Sequence, residues 1–179
     1  MALDATQVRV GVTGGLYVAP FGTTLPTDAT TALPSAHQDV GYISEDGVTE
    51  TQDTDSNDIV AWQNGATVRK IQTSHDLTYS FTMLETSAVS LKVYYGNYDA
   101  VNDSLEIRGE ELGHDVWVLS VEDGDHILRV VIPDGQVTER GDITYANEDA
   151  VGREVTLTCF PDTNGVKAYV YRAEIPAGS

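Results

Sequence analysis

The sequence from Leu77 to Leu84 reads LTYSFTML, and this stretch decides the fold class. Its odd-numbered positions from Leu77 to Met83 are apolar, and the even-numbered positions are Thr78, Ser80 and Thr82. Successive side chains of a β-strand point to opposite sides of the sheet. The pattern therefore predicts a strand with one buried face and one short, polar, uncharged face.

The hydrophobic period changes directly after this strand. Apolar residues then recur at helical spacing at Leu84, Ala88, Leu91 and Tyr95. Thr86 or Ser87 can cap the start of a helix, and Gly96 can end it. We therefore predict one α-helix over about residues 86–95.

Alternating apolar and polar residues recur through most of the remaining chain. We predict one hairpin of Ala66–Gln72 with Leu77–Leu84, and a final hairpin of Glu154–Phe160 with Val166–Tyr171. Further strands are predicted at Leu105–Arg108, Val116–Val121, His126–Ile132 and Gln136–Tyr145. A tight turn at residues 122–125 joins the second of these to the third, and another turn at residues 133–135 precedes the last. About eight to ten strands and one helix predict a mainly β fold, a β-sandwich or partial barrel with the helix on its side.

Length and composition favour one domain over residues 1–179. The chain is 41% hydrophobic and 21% charged, which is ordinary for a folded protein. No run approaches the roughly 18 apolar residues of a membrane-spanning helix, so no membrane insertion is expected. The first residues lack the basic and apolar regions of a secretion signal, so folding in a cytoplasm is expected.

The charge balance excludes several classes of partner. The sequence has 28 Asp and Glu against 10 Lys and Arg, a formal net charge of -18. A surface of this sign repels nucleic acid and anionic membranes. Aromatic residues are not interleaved with Lys and Arg, as a base-stacking surface would require.

The sequence offers no catalytic or metal-binding constellation. It lacks a nucleophile elbow, a phosphate loop and a dinucleotide fingerprint. The run Asp53–Asp58 has Asp58 and Asn64 where a calcium loop needs glycine and glutamate, so it is interpreted as a solvated acidic loop. Cys159 is predicted to be a buried small apolar residue. The four histidines show no metal-ligand spacing: His37, His75, His114 and His126. We expect no enzyme activity and no cofactor.

Three segments are predicted to be arms that make contacts on assembly. They are an N-terminal arm over about residues 1–7, a long acidic loop or arm over about 39–57, and a C-terminal arm over about 173–179. Trp62 follows the acidic arm and can serve as an anchor at a protein interface. A core position for Trp62 is an equally good interpretation at this point.

The order of these parts resembles a known family. A glycine-rich first strand is followed by Ser44–Glu50 (SEDGVTE), Ala61–Arg69 (AWQNGATVR), the strand Leu77–Thr86 and a helix ending Tyr94-Tyr95-Gly96. Over roughly residues 5–172 this arrangement resembles the major tail tube proteins of long-tailed, non-contractile bacteriophages (siphophages).

The resemblance implies a β-sandwich whose strands, contributed by six subunits, close a continuous ring barrel. Such rings would stack into a hollow tube in the virion tail, assembled in the host bacterial cytoplasm. DNA would pass through during ejection without specific binding. The implied partners are further copies of the chain, a tape measure protein inside the tube, and tail terminator and distal tail proteins at its ends.

The resemblance also suggests where the functional residues lie. The residues on the polar parity of their strands are expected to face the lumen: Glu50, Thr78, Ser80, Thr82 and Asp142. The residues in the arms are expected to contact other subunits or rings: Glu45, Asp46, Asp53, Asp55, Trp62 and Ile175.

Two other classes of function remain open at this stage. One is another virion protein of similar β architecture, a tail terminator or a capsid decoration protein. The other is a glycan-binding or glycan-cleaving β-sandwich, for which the sequence offers Trp62 and spare carboxylates.

Overall fold

The chain is built mainly from β-strands, with one short helix. The computed structural model describes residues 8–147 and 150–175. Its elements in chain order are β1 (Thr13–Pro20), β2 (Gln38–Asp39), β3 (Ile43–Asp53), β4 (Ser56–Val60), β5 (Thr67–Gln72), β6 (Asp76–Met83), α1 (Ala88–Tyr95), β7 (His114–Asp123), β8 (His126–Arg140), β9 (Arg153–Cys159) and β10 (Tyr169–Glu174).

One long strand joins the two layers of the fold. The main sheet has the order β2-β1-β7-β8-β9-β6-β3, and β10 also pairs with β8. The first half of β8 pairs with β7 and β10, whereas its second half pairs with β9. The sheet therefore folds over at β8 into a sandwich, and the described chain contains no closed barrel. This confirms the predicted fold class.

The core lies between the two layers and follows the predicted alternation. Leu77, Tyr79, Phe81 and Met83 of β6 are all buried. The ring of Phe81 packs against that of Trp117 on β7, with centroids 5.9 Å apart. Fully burying a large apolar side chain contributes roughly 1.5–3 kcal/mol. The polar positions between them are left on the opposite face of the sheet.

The helix begins and ends where local chemistry predicts. The Ser87 side chain accepts from the backbone N–H of Ser90, and the Ser90 hydroxyl in turn accepts from the Ser87 N–H. This capping box satisfies backbone donors of the first turn. Gly96 ends the helix with φ 82°, a left-handed conformation that glycine adopts without steric cost. The prediction of one helix over about 86–95 is confirmed.

The pairing of both predicted hairpins is wrong. β5 pairs with β4, and β6 lies between β3 and β9. β10 pairs with β8 and not with β9. Alternation identifies a strand and its buried face, but it carries no information on which neighbour supplies the backbone hydrogen bonds.

One predicted strand and one predicted turn are also wrong. Residues 105–108 form a loop and not a strand. Pro133 and Gly135 do not interrupt the strand, because β8 continues to Arg140. The register between β7 and β8 shifts between Asp115 and Trp117, and Pro133 lies opposite this irregularity. A proline is tolerated there because no regular ladder bond needs its missing N–H.

The predicted arms have different outcomes. The acidic segment 39–57 is largely strand, because β3 occupies Ile43–Asp53. Residues 173 and 174 complete β10, and the Ile175 N–H donates to the Asp125 carbonyl at 2.6 Å. The N-terminal arm over 1–7 and the end of the C-terminal arm over 176–179 lie outside the described residues.

Candidate assembly surfaces

A surface of hydroxyl groups covers the outer side of the four-stranded layer β8-β9-β6-β3. Thr78, Ser80 and Thr82 lie on this side of β6, opposite its core residues. The Ser80 Oγ lies 3.2 Å from Thr156 Oγ1, and Thr138 Oγ1 lies 2.7 Å from Thr158 Oγ1. We name this surface the hydroxyl face. The strand register places on it Thr49, Thr51, Thr78, Ser80, Thr82, Thr138, Thr156 and Thr158.

Carboxylates lie at the margin of the hydroxyl face. Glu154 lies directly opposite Thr82, and Glu139 lies directly opposite Thr156. Both glutamates are exposed. The face is thus uncharged along most of its length and acidic at its margin, a distribution that net charge alone does not indicate.

Glu50 lies on the other side of the layer from the hydroxyl face. It is directly opposite Tyr79, and the Tyr79 hydroxyl donates to Glu50 Oε2 at 2.7 Å. Burial, and then this hydrogen bond to a carboxylate, raise the pKa of Tyr79 well above its usual value. Alternation along one strand does not show this, because the register between β3 and β6 decides which residues share a side.

Asp142 also lies off the hydroxyl face. It follows the end of β8 in a shallow depression lined by Tyr94 and Ile143. Burial raises the pKa of Tyr94, and the negative charge of Asp142 adds to this effect. Of the five residues predicted to face the lumen, the structure therefore brings together Thr78, Ser80 and Thr82.

A β-ribbon projects from the end of β3 with almost no buried surface. We name residues 54–75 the arm; it contains β4, β5 and the turn between them. Asn64 and Gly65 at the turn both have positive φ, 59° and 63°. An Asn-Gly pair is favoured in such tight hairpin turns. At the other end, the Ser74 hydroxyl and the Thr73 N–H donate to Asp55 and tie the two strands together.

The two faces of the arm differ in chemistry. Asp58 and Lys70 lie opposite each other and form an ion pair at 3.6 Å on one face. Ile59 lies opposite Arg69 on the other face, which also carries Ile71. Trp62 stands at the tip with 95% of its surface exposed, so the core interpretation of this residue is wrong. An isolated two-stranded ribbon is marginally stable in water, and the apolar side chains of this one are not covered by any of the residues that the structure describes.

The arm carries no net charge. Its two carboxylates, Asp55 and Asp58, balance Arg69 and Lys70. The whole formal charge of -18 therefore resides on the remainder of the chain. Contact between copies of so acidic a protein meets less repulsion through a neutral segment.

The other residues predicted at contacts do not form one cluster. Glu45 and Asp46 lie at a register shift between Ile43 and Val48, near the start of β3. Asp53 lies at the opposite end of β3, directly across from Asp76. An 11-residue strand is roughly 35 Å long, so the shift and the arm are far apart. These residues can serve separate contacts.

The described residues contain no group of three or more His, Cys, Asp or Glu side chains arranged to hold a metal ion. His114 Nδ1 bonds Asp134 Oδ1, and His126 lies 3.3 Å from Asp125. Cys159 is buried, as predicted, and burial raises the pKa of its thiol to about 12. Within the residues that the structure describes, no helix is long and apolar enough to cross a bilayer.

Comparison with known proteins identifies the family. Residues 1–177 match the family described as "Phage tail tube protein". Because the match spans nearly the whole chain, this protein belongs to the phage tail tube protein family, whose members are structural components of phage tails and not enzymes. The comparison with curated proteins finds no relative.

Several solved structures share parts of the backbone arrangement at very low sequence identity. A chain of the anti-feeding prophage cap, the tube terminating cap, is 7% identical with a TM-score of 0.48 over 97% of both chains. A chain from the tail of an empty GTA particle is 8% identical with a TM-score of 0.43, over 88% of this chain and 93% of that chain. An Hcp protein is 11% identical with a TM-score of 0.35, over 88% of this chain and 96% of that chain. Similarity at this level says nothing about what this chain binds.

Proposed function

We propose that this protein is the major tail tube subunit of a siphophage and that six copies form a ring, with rings stacked into a hollow conduit for DNA. The family supplies the class of protein. The observation that carries the proposal is the hydroxyl face, a broad uncharged surface on one side of a layer whose other side is core. Such a surface suits the inside of a channel through which a charged polymer must slide.

The proposed lumen wall is the hydroxyl face together with its acidic margin, Glu139 and Glu154. Small hydroxyls offer no cation to which phosphates could bind, since phosphate affinity arises mainly from Lys and Arg. The carboxylates act on DNA within a Debye length of ~8–10 Å and oppose its adhesion. Thr78, Ser80 and Thr82 remain the central residues of this wall, and Glu50 and Asp142 lie off it within the subunit.

Ring closure is proposed to use the two free edges of the same layer. Among the described strands, β3 pairs only with β6, and β8 beyond Gln136 pairs only with β9. Exposed strand edges invite pairing with other chains. Joining the β3 edge of one subunit to the β8 edge of the next is a heterologous contact, which closes into a ring when the rotation fits.

Stacking of rings is proposed to use the arm. Trp62 is its anchor, and Asp53 and Asp55 lie at its base. Glu45 and Asp46, near the start of β3, are proposed to act in contacts at the other end of the layer. The terminal segments are further candidates for contacts that form on assembly, and Ile175 leads into one of them. The tape measure, terminator and distal tail proteins are the proposed partners inside the tube and at its ends.

Electron microscopy of the purified protein over a range of concentrations tests this function. We expect hollow tubes of indefinite length with sixfold cross-section. Small closed particles, such as single rings or trimers, would instead indicate a terminator or decoration protein.

Thiol labelling tests the position of the wall. In Thr49→Cys, a small maleimide should label assembled tubes, whereas a maleimide attached to a large protein should label only the unassembled subunit. Labelling of intact tubes by the large reagent would contradict a lumen position for the hydroxyl face. Native Cys159 is buried and does not interfere.

A further inference from the structure

A groove lies between the β1–β2 edge, the helix α1 and the start of β7. Its volume is about 430 Å³. Most of its wall is apolar, with Val18 on one side, Val89 and Val93 on the helix, and Leu112 before β7.

Two polar groups in this groove lack partners. Trp117 is 1% exposed, and its indole Nε1 donates to no acceptor among the described residues. The Asp115 carboxylate makes no hydrogen bond or ion pair within the described chain. The charged and titratable groups that act on Asp115 are Lys92 on α1 and His114 beside it. Asp115 is half-buried, so its carboxylate is an acceptor that an occupant of the groove can reach, whereas Trp117 Nε1 is enclosed in the groove wall.

We propose that this groove receives the tip of the arm from a second copy of the chain. Trp62 provides an exposed indole for the apolar wall, and its N–H is a donor for Asp115. The side-chain amides of Gln63 and Asn64 supply further donors for Asp115. The arm's neutrality lets it approach a chain that is otherwise strongly acidic. This inference rests on the proposed function, since it names the receptor for the contact between rings.

The occupant must come from another copy. Among the described strands, β4 and β5 pair only with each other, and the arm leaves β3 after Asp53, roughly 35 Å from the start of β3 that follows β2. The tip is therefore remote from the groove of its own subunit. Repeating one tip-to-groove contact from copy to copy is heterologous, and it produces an open assembly when the rotation does not close a ring.

Disulfide trapping tests the contact directly. In a chain carrying both Gln63→Cys and Ala36→Cys, oxidation of assembled protein should give a ladder of linked subunits on a non-reducing gel. Each single variant should give no ladder. The matched control pairs Gln63→Cys with Thr163→Cys, an exposed residue in the turn between β9 and β10, and should also give none. All three substitutions are at exposed positions, so folding is retained.

A double-mutant comparison gives a second, independent readout. Trp62→Ala should raise the critical concentration for assembly at least tenfold, and Ala36→Arg, which blocks the groove, should do the same. The combined variant should be no worse than either one, because both remove the same contact. If the combined variant instead raises the critical concentration by the product of the two single effects, the tip and the groove make separate contacts. That result would overturn the inference.

The outcomes separate this inference from the function on which it rests. If the Gln63→Cys, Ala36→Cys chain forms normal tubes but no disulfide-linked ladder, the groove is not the receptor of the tip. The proposed tail tube function would not be affected by that result. Failure of the unsubstituted protein to form rings or tubes under any condition would overturn the proposed function itself.

Discussion

Tyr79 links the core to the exposed strand β3. Its ring is buried with 3% exposure, while its hydroxyl reaches the Glu50 carboxylate at 2.7 Å. A hydrogen bond at the boundary of a core holds a neighbouring strand in register, because a slip of one residue would leave the buried hydroxyl unpaired. Single residues of this kind position the layer that carries the hydroxyl face.

Removing the Tyr79 hydroxyl tests this role. Tyr79→Phe should lower the free energy of unfolding by about 1–2 kcal/mol, since a partly buried bond to a carboxylate is lost. The measurement is urea denaturation followed by circular dichroism. Tyr42→Phe, at an exposed tyrosine, is the control and should have no effect. Equal stability of both variants would show that the Tyr79–Glu50 bond contributes nothing.

Asp28 should show an unusual titration. Its carboxylate accepts hydrogen bonds from the Thr31 hydroxyl and from the backbone N–H groups of Thr31 and Thr30. These bonds, that of the Thr31 hydroxyl first, lower its pKa to about 2 from 3.8. Because the folded-state pKa is depressed, the stabilisation is present above pH 3.8 and is lost as pH falls through about 2.

NMR titration of the side-chain carbonyl carbons measures the Asp28 pKa. Thr31→Val should move it back toward the ordinary value, because the largest cause is removed. An Asp28 midpoint near 4 in the unsubstituted protein would show that the turn does not form these bonds in solution.

At the scale of elements, the arm is held by its turn and its base and not by a core. The Asn64-Gly65 turn needs two consecutive left-handed residues. The Ala61 N–H donates to the Ala66 carbonyl at 2.8 Å and closes the loop. The arm is therefore a unit that can open locally without unfolding the sandwich.

Substitution of Gly65 tests whether the arm opens independently of the sandwich. Gly65→Ala should destabilise the turn by about 1 kcal/mol, because alanine is strained at positive φ. Amide hydrogen exchange should then speed up at Ala61 and across the arm, with core amides unchanged. Gly109→Ala is a matched control: a Cβ at either position meets no atom within 4 Å, and only Gly65 has positive φ. Faster exchange throughout the protein would contradict the independence of the arm.

Truncating a side chain should change the stability of the protein by different amounts on the two sides of β6. Phe81→Ala should lower the free energy of unfolding by about 3–5 kcal/mol, because it opens a cavity against Trp117. Ser80→Ala, one residue away on the hydroxyl face, should change stability by less than about 1 kcal/mol. Chemical denaturation measures both. A large loss for Ser80→Ala would mean that the hydroxyl face is needed for folding.

Local features of the fold could be predicted from the sequence, and non-local ones could not. The caps Ser87 and Gly96 and the alternation in β6 depend on adjacent residues, and they are confirmed. The tight turn at residues 122–125 is also local, and it joins β7 to β8 as predicted. The other strand partners depend on long-range register, and the hairpins predicted for β5 with β6 and for β9 with β10 are wrong. The same limit applies to the site. Thr78 and Thr82 were identified from one strand, whereas Thr156 joins them only through pairing of β6 with β9.

At the scale of the molecule, charge is distributed unevenly. Two of the basic residues, Arg129 and Arg153, are buried and hydrogen-bond to backbone carbonyls inside the subunit. They offer little positive charge to a partner. The surface outside the neutral arm is therefore strongly acidic, and copies of the chain repel one another until close contacts form.

Salt should consequently promote assembly. Raising ionic strength from 0.1 M to 1 M shortens the Debye length from ~10 Å to ~3 Å and screens this repulsion. We expect the critical concentration for assembly to fall severalfold, as measured by light scattering and sedimentation. Weaker assembly at high salt would show that attractive ion pairs between subunits outweigh the general repulsion.

The hydroxyl face has a consequence for motion along it. Side chains of Thr and Ser both donate and accept, so each can exchange a bond to its neighbour, such as Ser80 to Thr156, for a bond to water at little cost. Such a lining keeps a continuous, easily rearranged film of water. In the tube that we propose, this film would act as a lubricant, and the friction on a polymer drawn through at speed would be that of one hydrated surface gliding past another.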